Sequence, residues 1–324
     1  MRRACGSTEE LMKILVTGGA GFIASHVAEG YLRAGHEVVI ADDLSTGKRE
    51  NLPAAAKFLA CDITDSTRTE EVLARERPEI VNHHAAQMDV RRSVREPLFD
   101  ARVNILGALG LLELAVKYKV RKFLYASTGG ASYGQVSTLP VDEGHTTAPI
   151  CHYGVSKLTL ERYLFLYRNL YGLDYTVMRY PNVYGPRQNP AGEAGVVAIF
   201  ALQMLRRERP TIFGDGSKSR DYIFVDDIVK ANLSLLEKGG GEILNLGRGE
   251  PVSDYRIFQL VSAATAYLGE PKYAPVRPGE VAHIALDARR AHRVAGWAPE
   301  VGLEDGIART VHFIQQSHAC LTKT

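Results

Sequence analysis

The chain has 324 residues, 45% hydrophobic and 23% charged, with a formal net charge of +2. Such a composition belongs to a soluble globular protein, long enough for one large α/β domain with a smaller lobe or for two modest domains. The near-neutral balance excludes a bulk electrostatic footprint for nucleic acid, and no apolar run approaches the ~20 residues that span a membrane.

Residues 1–11 form a polar N-terminal extension without the apolar core of a signal peptide, and Met12 is an equally sensible start. Cys5, Cys61, Cys151 and Cys320 are scattered, with no CxxC and no Cys/His spacing for zinc. They read as reduced thiols in a cytoplasmic protein, and no metal site is expected.

Short β-branched runs then alternate with helical patterns. The expected strands are Lys13–Thr17, Glu37–Ala41, Lys57–Ala60, Ile80–His83, Lys122–Ala126 and Tyr175–Arg179. Amphipathic stretches lie between them, notably Ser25–Arg33, Asn104–Tyr118 and Tyr153–Tyr171. This alternation predicts a doubly wound, Rossmann-like parallel sheet covered on both faces. After Tyr180, prolines and glycines break the pattern, and Glu242–Leu246 reads as a strand that rejoins the sheet late. The expected division is a dinucleotide-binding domain over 12–180, rejoined by about 228–249. Residues 181–227 and 250–316 make a smaller mixed α/β lobe.

Thr17-Gly18-Gly19-Ala20-Gly21-Phe22-Ile23-Ala24 directly follows the first strand and opens the first helix. Glycines there allow a tight turn and let backbone N–H groups approach a pyrophosphate at the positive end of the helix. Asp42, ending the second strand, is placed to accept from the adenosine ribose hydroxyls and to repel a 2′-phosphate. NAD is therefore expected rather than NADP.

Tyr153 and Lys157 stand four apart on one helical face. A phenol with a pKa of ~10 is a poor base at neutral pH, but a neighbouring ammonium favours the phenolate. Spacing alone proves little, because Tyr118 and Lys122 share it. That second pair straddles a helix end and a strand start, away from the carboxyl edge of the sheet. Tyr153 instead opens a helix after a long loop beyond the strand ending in Ser127-Thr128.

In these residues the chain resembles the extended short-chain dehydrogenase/reductase family, and most closely its UDP-glucose 4-epimerase branch. The resemblance runs from about Lys13 to Ile314. It is carried by TGGAGFIASH at 17–26, DDLSTGKREN at 42–51, HHAAQMDVRRSV at 83–94 and VNILGALGLLE at 103–113. YGVSK at 153–157, RYPNVYGPRQ at 179–188, GEAGVVAIF at 192–200, GDGSKSRDYIFVDDI at 214–228 and RPGEV at 277–281 complete it.

By position, the resemblance implies that Gly18, Gly21, Phe22, Ile23 and Asp42 hold NAD. Asp62 and Ile63 would flank the adenine, Ala85, Ala86 and Asn104 would line the pocket, and Tyr180 would lie against the nicotinamide. Tyr153 and Lys157 would serve both catalysis and cofactor positioning. For a UDP-sugar it implies Asn182, the phosphate-binding arginines Arg220 and Arg277, and Glu280 at the uridine ribose. The alternative for either arginine is a surface ion pair, for instance Arg220 with Asp221. Ile284 falls where residue size governs a bulky N-acetyl group, and Ile predicts some tolerance of UDP-GlcNAc. A homodimer is also implied, through helices near Pro97–Lys117 and Tyr153–Tyr171.

Family members carry a Ser or Thr at the strand end that hydrogen-bonds the sugar 4-hydroxyl. Counting back four from Tyr133 lands on Gly129, so the loop reads as one residue longer, with Thr128 first choice and Ser127 second. Dehydratases and decarboxylases of the family place acids beside that residue. Gly129-Gly130 supplies none, which favours an epimerase unless Glu143 folds back into the site.

Overall fold

The computed structural model describes residues 11–190, 195–276 and 280–321. Its centre is a seven-stranded, all-parallel sheet: β1 (Lys13–Thr17), β2 (Glu37–Asp42), β3 (Lys57–Ala60), β4 (Ile80–His83), β5 (Lys122–Thr128), β6 (Asp174–Tyr180) and β7 (Glu242–Asn245). The order across the sheet is β7-β6-β5-β4-β1-β2-β3, so the strand order reverses beside β1. Ligands of such sheets bind at the carboxyl ends near that reversal, because the crossovers diverge there.

The strands are apolar on both faces since helices cover both. On one side lie α1 (Phe22–Arg33) and the helix Val225–Ser234, which pack so closely that a Cβ on Gly30 would meet Val229 at 2.4 Å. On the other lie α2 (Ser66–Glu76), α3 (Ala108–Lys117) and α4 (His152–Tyr171). Asp65 caps α2 by accepting from Arg68 N–H, and Gly172 ends α4 in the left-handed conformation, φ +72°.

Expected and observed strands agree to within two residues at each end, with β5 running on to Thr128. One segment differs in kind. The helix expected over Asn104–Tyr118 begins as a π-helical turn, Arg102–Gly107, and becomes α-helical only from Ala108. Wide turns of this type are frequent at functional sites.

β7 pairs in parallel with β6, Glu242 against Thr176, so the chain re-enters the sheet after a long excursion. The segments outside the sheet meet in short ladders: Tyr222–Phe224 with Asn182–Tyr184, Ser219–Arg220 with Val252–Ser253, and Lys272–Ala274 with Thr211–Phe213. Asp221 knits this region together. Its buried carboxylate accepts from the backbone N–H groups of Arg248, Gly249 and Leu286, all at 3.0 Å. Asp221 is thus occupied by backbone and is not an ion-pair partner of Arg220.

Candidate active site

The carboxyl end of β1 turns at Gly18, φ +71°, where a Cβ would lie 2.6 Å from the Ala85 nitrogen. Only glycine allows both that conformation and that approach. Gly21 then caps α1 without any side-chain hydrogen bond, leaving the first-turn N–H groups of Phe22 and Ile23 facing the cleft. Asp42 is 6% exposed, and its two oxygens accept from Ala20 N–H at 3.0 Å and Leu44 N–H at 2.7 Å. Burial nevertheless raises its pKa from the usual carboxylate value. A turn without side chains, an uncapped helix start and a carboxylate at the end of the neighbouring strand together fit a dinucleotide.

Ala85 and Ala86 follow β4, and Ala85 N–H donates to the Thr17 hydroxyl at 3.3 Å. Asn104 lies inside the π-helical turn and braces their loop. Its amide donates to Gln87 O at 2.8 Å and Asp100 Oδ1 at 3.0 Å, and its carbonyl accepts Gln87 N–H at 2.9 Å. Asp62 and Ile63 follow β3, the first exposed and the second buried against the turn at Gly107. Tyr180 ends β6, its hydroxyl 3.2 Å from His84 Nε2 and 2.9 Å from the Asn232 amide. Burial holds His84 neutral, its pKa pushed down to about 3.

Tyr153 is the second residue of α4, its N–H held by the Ser93 hydroxyl at 3.2 Å. Desolvation, then the nearby Cys151 and Asp100, pushes its phenol above the ordinary tyrosine value, while hydrogen bonding with Thr128 works the other way. One turn on, Lys157 is 3% exposed and its ammonium sits 4.5 Å over the Tyr125 ring. Among the described residues no carboxylate lies within ion-pair distance of it. Burial drops its pKa to about 7, against the opposing pull of Glu161 and Asp100. The decoy pair separates: Tyr118 donates to Glu70 at 2.7 Å, and Lys122 bonds the Lys238 carbonyl at the opposite end of the sheet.

The two hydroxyls at the end of β5 diverge. Thr128 faces Tyr153 and also caps the short helix Gly129–Ser132 by accepting from Ala131 N–H at 3.2 Å. Ser127 points to the other side and donates to Glu161 Oε1 at 2.6 Å. Glu161 is in turn held by Arg179 through Nε at 3.0 Å and Nη2 at 2.6 Å, and Arg179 Nη1 donates to the Tyr133 hydroxyl at 2.8 Å. Burying a charged pair is costly, and the bidentate geometry, with a third hydrogen bond to Tyr133, is what makes this one tolerable. Ser132 returns its hydroxyl to the Thr128 carbonyl and so tightens the loop.

Glu143 does not fold back toward Tyr153. Its carboxylate accepts Asn245 N–H at 2.8 Å and lies 3.5 Å from Arg290.

Asn182 stands beside the Gly129–Ser132 helix and opposite Tyr222. Arg220 Nη1 donates to the carbonyls of Ser219 at 2.8 Å and Ala282 at 3.1 Å, and Lys218 pairs with Glu280 at 2.7 Å. Across the same junction Ile284 N–H donates to the Ser219 carbonyl at 3.3 Å. Ile284 itself is 2% exposed, packed with Tyr133, Val141, Val281 and Leu286. Arg277 lies outside the described residues.

Sequence reasoning did not single out Ser93, Asp100, Glu161 or His84. Glu161 carried a legible signal, since it follows Lys157 by four on the same helical face. The others are joined to the site by contacts between distant segments.

A nucleotide cleft at the strand reversal, a Tyr/Lys pair on a helix and a threonine beside it define a dinucleotide-dependent enzyme of the short-chain dehydrogenase/reductase type. A family model for the NAD dependent epimerase/dehydratase family matches residues 14–247, and the chain belongs to that family. The UDP-glucose 4-epimerase of Mycolicibacterium smegmatis is 44% identical over 310 residues, 94% of this chain and 99% of the relative. The crystal structure of Thermotoga maritima UDP-glucose 4-epimerase with UDP-glucose superposes with a TM-score of 0.94 at 48% identity, covering 95% of this chain and 100% of the other. That of the Thermus thermophilus UDP-glucose 4-epimerase in complex with NAD gives 0.90 at 41% identity, covering 94% and 99%. The family's cofactor is NAD, which the glycine turn, the start of α1 and Asp42 fit. No described helix is long and apolar enough to cross a membrane.

Proposed function

We propose that this protein is a cytoplasmic UDP-glucose 4-epimerase that interconverts UDP-galactose and UDP-glucose through a 4-keto sugar. The observation that carries the reading is a phenol and a threonine hydroxyl side by side, with no acid in the loop next to them. Bound NAD supplies the acceptor and donor for the hydride at C4.

Tyr153 takes the 4-hydroxyl proton as the carbon is oxidised and gives it back after the keto sugar has turned over. The charge on Lys157, added to that of the nicotinamide, brings the phenol down toward the working pH. Thr128 holds the sugar oxygen and shares the proton; Ser127, committed to Glu161, does not. Asn104 keeps the Ala85–Ala86 loop in place beside the cofactor. Asn182, Arg220 and Glu280 line the wall that reads the UDP moiety, with Arg277 as the second arginine. A dehydratase or decarboxylase would need a further acid beside Thr128, and Glu143 is held elsewhere.

A homodimer is part of the same reading. Leu98, Leu106, Phe165 and Leu170 are 86, 62, 61 and 60% exposed on the helices expected to pair. Those helices pack side by side, and large apolar side chains left exposed on neighbouring helices support an association site there.

The test is a product assay of wild type and Tyr153→Phe with UDP-galactose, UDP-GlcNAc and UDP-glucuronate. Conversion of UDP-galactose by the wild type alone, without net NADH formation, is the expected result. Epimerisation retained in the mutant would sink the mechanism, and the substrate profile decides the preferred sugar.

A further inference from the structure

Gly129 and Gly130 stand side by side and meet opposite surroundings. A Cβ on Gly129 would lie 2.3 Å from Cδ1 of Leu286, which is fully buried against Tyr133, Val141 and Ile284 and has nowhere to retreat. Packing therefore dictates glycine at 129. It also explains why the strand-end hydroxyl comes one residue early, from Thr128.

At Gly130 the same Cβ would meet nothing closer than 3.8 Å. The two nearest atoms are Oδ1 of Asn182 and Oγ1 of Thr128. Backbone conformation does not ask for glycine here, since Gly130 is absent from the positive-φ residues and sits in a helical turn. Alanine is the better helix former at such a place. Neither packing nor backbone requires glycine at 130, yet the side chain is missing where it would enter the site. What glycine provides there is room.

We propose that this room receives the C6 group of the sugar, and that Gly130, rather than the buried Ile284, sets the size limit beside the reacting carbon. The proposal rests on the 4-epimerase reading. With the 4-hydroxyl held by Thr128 and Tyr153, the atoms nearest Gly130 are the substituents flanking C4. The C3 side carries a hydroxyl alone. The C5 side carries a carbon branch, whose methylene needs a bare wall and whose hydroxyl finds the Asn182 amide oxygen. Ile284, enclosed in its own cluster, offers the sugar no surface.

The decisive comparison is Gly130→Ala against wild type, both loaded with NAD, in binding of UDP-glucose and of UDP-xylose, which lacks C6. One added methyl in a fitted pocket is worth roughly 10- to 200-fold, so the variant should bind UDP-glucose at least about tenfold more weakly. UDP-xylose should bind the two proteins alike. NAD content and melting temperature should match the wild type, because the new methyl has no protein atom to strike. Equal weakening of both ligands, or no weakening of UDP-glucose, overturns the proposal. A wild type that binds UDP-glucose without converting it to UDP-galactose fails the epimerase reading instead, and the binding ratio still judges Gly130.

Discussion

Ser127 donates its hydroxyl to Glu161 at 2.6 Å, while its neighbour Thr128 turns the opposite way to meet Tyr153. Alternation along β5 produces this division, because successive side chains leave a strand on opposite faces. Ser127→Ala should therefore act on stability, by about 1–3 kcal/mol for a buried carboxylate left short of a donor. Thr128→Val should act chiefly on turnover, lowering kcat by about 10²-fold or more, with about 0.5–2 kcal/mol of stability lost along with the Ala131 cap. Denaturant titration alongside a steady-state assay separates the two; a reversal of the pattern would exchange their roles.

Lys157 gives a pH signature. Its folded pKa, about 7, lies below the ~10.4 of an unfolded lysine, so the unfolded chain binds more protons between those values. The NAD-free protein should gain stability as pH rises from about 7 to 10, and below 7 should carry the full cost of the buried charge, about 5 kcal/mol. Lys157→Met should flatten that slope and stabilise the NAD-free protein at neutral pH while abolishing activity. Melting curves of both proteins across pH 6 to 10 check this; parallel slopes would contradict it.

Gly129→Ala should destabilise by about 1–3 kcal/mol through overpacking against Leu286. Leu286→Ala alone should cost about 2–5 kcal/mol, and the double variant should lose less than the sum of the two, since the two side chains contest one volume. The measurement is a double-mutant cycle by urea unfolding, with full additivity as the refuting result.

Phe165→Glu combined with Leu98→Glu places charge on the exposed apolar helices. Sedimentation should show a monomer for the double variant and a dimer for the wild type. A wild type that sediments as a monomer removes the dimer from the proposed function.

Much of the fold was legible because its signals are local. Runs such as Lys13–Thr17 and Ile80–His83 are short, apolar and bounded by turn residues, and the glycine turn sits directly between β1 and α1. Tyr153 and Lys157 were separable from the Tyr118–Lys122 decoy by context, and the structure puts the two pairs at opposite ends of the sheet. What escaped depends on contacts between segments far apart in the chain. The choice between Ser127 and Thr128 turns on Glu161 and Tyr153, the enclosure of Ile284 on a cluster drawn from 133–141 and 281–286, and the freedom of Arg220 on three backbone groups that claim Asp221. No pattern of apolar spacing announces a π-helical turn at Arg102–Gly107, because it differs from an α-helix by one residue per turn.

The late return of β7 also bears on how the protein is made. Until residue 245 has left the ribosome, β6 presents a bare row of N–H and C=O groups along its outer edge. By then residues 13–180 have all been synthesised, so a nearly finished sheet waits some sixty residues for its last strand, at about 5–20 residues per second a delay of several seconds. A nascent chain stalled in that interval is an open template for other strands.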